Sequence, residues 1–174
     1  MTTGAGSRTP RRGGSRALLI VVFVAAVVAG LWVRANVLGS YRVDSGSMSP
    51  TLCVGDRVLV DKRVTGEDLA HGDLVVLTAP DNGKLVVKRV VGLPGDRVAI
   101  RDAVLYVNAN RVAEPYVNHS RIDALFYGPV KVPPARVLVM GDARARSIDS
   151  RDYGSVTFTS VHGRVLFRWW SSCG

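Results

Sequence analysis

Leu85 to Asp96 reads LVVKRVVGLPGD, a valine-rich run broken by one lysine and one arginine and closed by Gly-Leu-Pro-Gly. β-Branched side chains pack well on a pleated surface, and glycine with proline punctuates strands. The stretch therefore reads as a strand, Leu85 to Val91, running into a turn. Successive strand side chains point to opposite faces, which puts Val86, Lys88 and Val90 on one face and Leu85, Val87, Arg89 and Val91 on the other. Lys88 is thus flanked by valines. If that face is buried, the ammonium form is disfavoured and the amine becomes a proton acceptor near neutral pH. A lysine on an edge strand reaching water fits the same pattern.

Working outward, similar runs recur at Arg57 to Val60, Leu74 to Leu77, Val98 to Ile100, Val104 to Val107, Val137 to Met140 and Gly163 to Phe167. This spacing predicts a mainly β domain, an antiparallel sheet or barrel-like arrangement. Asp81-Asn82-Gly83 and Asn108-Ala109-Asn110 each sit between two runs, as hairpin turns do. No window after Ser40 has a helical period. Residues 113 to 135 carry prolines at 115, 129, 133 and 134 and read as a long excursion from the sheet.

Ahead of the β-rich part, Ala17 to Val33 is an unbroken run of 17 apolar or small residues, ALLIVVFVAAVVAGLWV. It is long enough to begin spanning a bilayer as a helix, and Trp32 would sit at an interface. A cleaved signal peptide is the alternative, but Val33-Arg34-Ala35 is a poor cleavage pattern and the run is long for such a segment. The organisation that follows is a disordered basic tail over 1–16, a transmembrane anchor over 17–38 and a β-rich domain over 39–174.

The net charge of +9 is largely local. Residues 1 to 40 hold Arg8, Arg11, Arg12, Arg16 and Arg34 and no acid, leaving 18 basic against 14 acidic residues from Tyr41 onward. So mild an excess argues against nucleic acid as a partner. The two cysteines, Cys53 and Cys173, are too few for a disulfide framework and lack zinc-ligand spacing. Outside the cytoplasm they could pair or serve as small buried residues. His71, His119 and His162 stand apart and read as surface residues. The sequence gives no sign of a metal or cofactor site.

Three stretches carry the chemistry: SGSMSPTL at Ser45 to Leu52, VVKRVVGLPGD at Val86 to Asp96, and GDARARSIDSRDYG at Gly141 to Gly154. Singly they read as a linker, a turn and a solvated loop. Together with GDRVLV at Gly55 to Val60 they give, in order, S-x-SM-x-PT, GDRVLV, KR-x-VGLPGD and GD-x-R-x-x-S-x-DSR-x-x-G. In these motifs the chain resembles the type I signal peptidases, the Ser/Lys leader peptidases of bacteria, over roughly Tyr41 to Arg168.

The resemblance implies a serine endopeptidase that removes signal peptides from secreted preproteins after small residues of Ala-x-Ala type. Ser47 matches the nucleophile and Lys88 the general base. Ser45, with the backbone N–H of Ser47, matches the oxyanion hole, and Ser147 matches the serine that orients the lysine. Arg89, Asp142, Arg144, Asp149 and Arg151 match the charged residues that hold the catalytic loop, Arg89 being the expected partner of Asp142. Val43 and Val87 are the expected lining of two shallow substrate pockets, and Met48 is expected to pack beneath the site. The implied partners are preprotein signal peptides and membrane lipid, with the secretion translocon as a further candidate.

Two residues depart from the family pattern: Asp44 stands where proline is common, and Ala143 where asparagine often follows Gly-Asp. A catalytically silent anchored β-domain that binds preproteins is the alternative, and the intact Ser47, Lys88 and Ser147 set speaks against it. A self-cleaving repressor-type peptidase shares the chemistry but not the apolar run.

Four arginines precede the run and one follows, so the positive-inside rule keeps the N-terminus cytoplasmic and puts Tyr41 to Gly174 across the membrane. Protease added to intact cells or spheroplasts should therefore reach a C-terminal tag; a tag protected until the membrane is broken would reverse the orientation.

Overall fold

The computed structural model describes residues 13–118 and 126–172. The chain divides into two units, Met1–Asn36 and Val37–Gly174. In the first, helix α1 spans Gly13–Asn36. Its stretch Leu18–Asn36 is long and apolar enough to cross a membrane. Expected as an unstructured tail up to residue 16, the chain is already helical from Gly13, because elongating a helix costs far less than nucleating one. Residues 1–12 lie outside the described part. The expected anchor also ends two residues sooner than 38, at Asn36. There strand pairing takes over: Lys62 N–H donates to the Val37 carbonyl at 2.8 Å, and β1 begins at Leu38.

The second unit is mainly antiparallel β, as expected. Its strands are β1 (Leu38–Arg42), β2 (Arg57–Asp61), β3 (Leu74–Thr78), β4 (Leu85–Gly92), β5 (Arg97–Arg101), β6 (Val104–Val107), β7 (Asn110–Arg111), β8 (Phe126–Lys131), β9 (Arg136–Met140), β10 (Val156–Thr157) and β11 (Val161–Trp170). They form a seven-stranded sheet in the order β1-β2-β11-β3-β4-β9-β10 and a four-stranded sheet in the order β7-β6-β5-β8. Both expected hairpin turns are present. Gly83 has φ +69°, and Asn108 and Ala109 have φ +53° and +66°, the left-handed pair that a two-residue hairpin needs.

The excursion expected over 113–135 is corrected at its end. Phe126–Lys131 pairs with β5 as an edge strand, where Gly128 and Pro129 are tolerated because one row of N–H groups faces no partner strand. Short apolar content hid β1 in the same way. Every run read as a strand is one, usually a residue or two longer.

β4 sits at the centre of the packing. Val87 joins Val43, Met48, Leu52, Val58, Val60 and Val76 in one cluster. Val90, with Val86 partly buried beside it, packs with Val75, Leu77, Val137 and Val139 in a second. Val91 joins Ile100, Leu105, Leu138 and Met140 in a third, which holds the two sheets together. Gly163, at φ +148°, lies at an irregularity of β11 between β2 and β3, and a Cβ there would collide with the Asp61 carbonyl. The close approach needs glycine.

Asp56, buried at the start of β2, closes the domain. Its carboxylate accepts from Cys53 N–H at 2.9 Å, Ser172 N–H at 2.7 Å, Ser172 Oγ at 2.9 Å and Arg168 Nη1 at 3.1 Å. Of the two alternatives left open for the cysteines, Cys53 is disulfide-bonded, and Cys173 lies outside the described residues. Burial pushes the Asp56 carboxyl up, but the Ser172, Cys53 and Arg168 donors outweigh it and hold it down at about 2. A depressed carboxylate contributes stability above its ordinary value of 3.8 and loses it as pH falls toward about 2. Asp56→Ala should therefore lower the unfolding free energy at neutral pH by about 1–3 kcal/mol, with a smaller penalty near pH 2. Thermal melting in detergent checks this, and an unchanged melting temperature at pH 7 would contradict it.

Candidate active site

The site is built where β4, the turn after β1 and the loop after β9 meet. β3 flanks β4 along Leu85 to Arg89, with Val75 opposite Lys88. β9 pairs with β4 only from Arg89 onward. Beside Leu85 to Lys88, on the β9 side, there is consequently no strand among the described residues, and a cavity of about 720 Å³ opens there. Ser45, Ser47, Val86, Lys88, Asp142, Ala143 and Arg146 are among the residues that line it.

Lys88 is 3% exposed. Its ammonium nitrogen donates to Ser147 Oγ at 2.7 Å. Desolvation pushes its pKa down from the usual lysine value; the Asp149 carboxylate opposes this and the Arg151 guanidinium reinforces it. A buried lysine carrying a hydroxyl partner is poised to hold or release a proton, as the strand face bearing Val86 and Val90 leads one to expect.

Ser47 lies in a single 3-10 turn, Gly46–Met48, with Met48 buried beneath it. Its hydroxyl is 3.2 Å from Ser45 Oγ. The turn is fastened to the loop after β9, since Ala143 N–H donates to the Ser47 carbonyl at 3.0 Å. Gly141 makes that approach possible: a Cβ there would run into the Ser147 side chain and the Ser47 carbonyl. Ala143, the family departure, keeps this backbone contact without an amide side chain.

The loop from Gly141 to the short helix α2 (Ser150–Tyr153) is folded by its own charges. Asp142 is buried and receives both Arg89 Nε at 2.8 Å and Nη2 at 2.7 Å, and Thr51 Oγ1 at 2.5 Å. Asp149 is also buried. It caps α2, accepts Gly141 N–H at 3.0 Å and pairs with Arg151 Nε at 2.9 Å. Burial alone would raise the Asp149 carboxyl, yet the Arg151 guanidinium and the Gly141 N–H bring it below the usual carboxylate range. Arg151 Nη2 reaches on to the carbonyls of Arg144 and Ser147, at 2.7 and 3.2 Å. Arg144 is buried and pairs with Glu114.

A family model described as signal peptidase, peptidase S26, matches residues 16–170. This chain belongs to that signal peptidase family. Among its relatives, signal peptidase I of Bacillus licheniformis is 41% identical over 143 residues, 76% of either chain. Signal peptidase I S of Bacillus subtilis strain 168 is 44% identical over 156 residues, 83% of either chain. A crystal structure of a signal peptidase I from Enterococcus faecalis V583 superposes with a TM-score of 0.51 at 32% identity, covering 57% of this chain and 97% of that one.

In this member of the signal peptidase family, the serines, the lysine and the charged loop residues singled out from the sequence converge. Ser45, Ser47 and Lys88 line one cavity, Ser147 touches Lys88, and Arg89 grips Asp142. Val43 and Val87 instead lie in the cluster around Met48, below the cavity, while Val86 faces it. Asp44 is exposed, 3.9 Å from Arg42. His71 and His162 are exposed, contacting Asp96 and Thr78, and His119 lies outside the described residues. Sequence reading missed Glu114, Tyr116, Thr51 and Gly141. Thr51 and Gly141 stood inside quoted motifs without an assigned role, and nothing in the sequence pointed to Glu114 or Tyr116.

Proposed function

We propose that this protein is a signal peptidase I in which Ser47 is the nucleophile and Lys88 its general base. The observation that carries the reading is Lys88: a lysine buried among valines, hydrogen-bonded to Ser147 and sharing a cavity with Ser47. The neutral amine takes the Ser47 hydroxyl proton as Oγ attacks the scissile carbonyl carbon. The oxyanion that forms meets the Ser45 hydroxyl and the Ser47 N–H, donors that matter only once charge has developed. Lys88 then passes its proton to the departing amine, and a water deprotonated by the same amine hydrolyses the acyl-enzyme. Ser147 keeps the amine pointed at the reaction.

The flank of Leu85 to Lys88, unpaired among the described residues, favours a substrate bound as an added strand, its backbone completing the sheet beside β4. Val43 and Val87, nearly fully buried next to that position, would then form the floor of shallow pockets suited to small side chains of the Ala-x-Ala type. The α1 segment supports a membrane anchor, and the arginines before it support a cytoplasmic N-terminus with the catalytic domain outside. Lipid is a partner for the domain as well. Phe167, Trp169 and Trp170 of β11 are exposed beside Arg57 and Arg168, a mixture suited to a headgroup layer. The secretion translocon is a further partner consistent with preprotein substrates.

Single-turnover cleavage of an Ala-x-Ala peptide by the detergent-solubilised chain tests the dyad. Ser47→Ala and Lys88→Ala should each abolish nearly all turnover, and the double variant should be little worse. Ser45→Ala should retain a residual rate, reduced about 100- to 1000-fold. The parent rate should climb with pH as Lys88 loses its proton, because the charged ammonium cannot act as base. Lys88→Ala outperforming Ser45→Ala would break the assignment, and a parent without turnover would favour the catalytically silent domain.

A further inference from the structure

The turn Glu114–Val117, closed by Val117 N–H to the Glu114 carbonyl at 3.0 Å, follows β7 and supplies no group to the dyad. We propose that Glu114 and Tyr116 are positioning residues: they hold the two arginines that grip the catalytic loop and thereby fix Ser147 against Lys88. The proposal rests on the Ser47/Lys88 reading.

The contacts form two parallel chains. In one, the Glu114 carboxylate pairs with Arg144 Nη2, while Arg144 Nε donates to the Gly141 carbonyl at 3.0 Å. In the other, the Tyr116 ring lies 3.8 Å from the Arg89 guanidinium, which binds Asp142 through two hydrogen bonds. Tyr116 OH donates to Glu114 Oε1 at 3.2 Å and ties the chains together. Consecutive loop residues, Gly141 and Asp142, are thus each held by one arginine, and each arginine by one residue of the turn. A shift at Gly141 is transmitted directly, because the space a Cβ would take there is already filled by the Ser147 side chain and the Ser47 carbonyl.

Stability alone does not account for the arrangement. Glu114 and Arg144 are almost wholly buried, yet Glu114 Oε2 and Arg144 Nη1 have no hydrogen-bond partner among the described residues. Buried pairs rarely recover their desolvation cost, and apolar replacements of similar volume are often as stable. What the pair supplies is a fixed direction of approach.

The consequence is a pH signature. If the turn releases the loop, Ser147 drifts from Lys88, water reaches the amine and the desolvation that depresses its pKa weakens. The groups facing Lys88, namely Asp149, Arg151, Asp81 and Asp152, are unchanged in charge. Around Glu114 the charged and titratable neighbours are Arg144, Arg89, Tyr116 and Asp142. Merely deleting the Glu114 charge would act in the opposite sense, since removing an anion disfavours the ammonium. Tyr116→Phe changes no charge at neutral pH, the Tyr116 hydroxyl being pushed up to about 12 by burial and the Glu114 carboxylate.

The test is single-turnover cleavage of an Ala-x-Ala peptide across pH by the full detergent-solubilised chain carrying Glu114→Gln, Glu114→Asp or Tyr116→Phe, beside Ser47→Ala and Lys88→Ala. Glu114→Gln should lower the maximal rate about 10- to 100-fold, with the half-saturating peptide concentration unchanged and the rise of activity displaced to higher pH. Tyr116→Phe should show the same displacement with a smaller rate loss, and Glu114→Asp should restore part of both. If Glu114→Gln does not fold, Tyr116→Phe decides. An undisplaced profile, a displacement to lower pH, or rates that track only the fraction of folded enzyme would overturn the proposal. Turnover surviving in Ser47→Ala or Lys88→Ala would overturn the dyad instead.

Discussion

An amine that is to work as a base must be kept dry enough to lose its proton and still be held in one direction. At Lys88, the proposed base, these demands conflict, because desolvation removes water while every polar partner brought near can restore the charge. Valines at 86 and 90 and the neighbouring strands do the drying. The directional contact is a neutral hydroxyl, Ser147 Oγ at 2.7 Å, which orients the amine without adding an anion. The carboxylate that acts most strongly on it, Asp149, is already engaged by Arg151 and two backbone N–H groups. Its pull is offset by the guanidinium alongside.

The charged loop from Gly141 to Arg151 follows from that requirement. Bringing Ser147 to a buried lysine means burying a loop whose backbone would otherwise lack partners. Arginine side chains supply many of the missing donors: Arg151 to the carbonyls of Arg144 and Ser147, Arg144 to that of Gly141. The guanidinium fork suits this task where a lysine would not. The same loop holds the Ser47 turn through Ala143 and the Ser47 carbonyl, so the proposed base, orienting hydroxyl and nucleophile share one frame. Such a frame keeps reacting groups at fixed separation, which is where much of an enzyme's rate advantage arises.

The fold was legible wherever apolar residues alternate or run together. β2 to β6 and β9 were readable because they are buried, and burial leaves a mark on composition. β1 and β8 were not: edge strands need few apolar residues and admit Gly128 and Pro129. The start of α1 at Gly13 was missed because a growing helix overrides local composition. Ser45, Ser47, Lys88 and Ser147 were legible through ordered motifs, and the Lys88 environment through period 2. Glu114 and Tyr116 were not, because their partners lie 30 residues away at Arg144 and 27 away at Arg89 in the sequence, and Glu-Pro-Tyr in a polar stretch looks like any exposed turn. For Val43 and Val87, strand proximity to the site did not reveal that both pack around Met48.

If Lys88 is the base, it must be an uncharged amine in the working enzyme. Titrating ¹³Cε-labelled lysine by NMR in the detergent-solubilised chain, with the Lys88 signal assigned from a Lys88→Arg spectrum, measures this directly. Lys88 should give up its proton below the ordinary lysine range, and the cleavage rate should rise along the same curve. A Lys88 signal that stays in its protonated position while cleavage has already reached its plateau would contradict it.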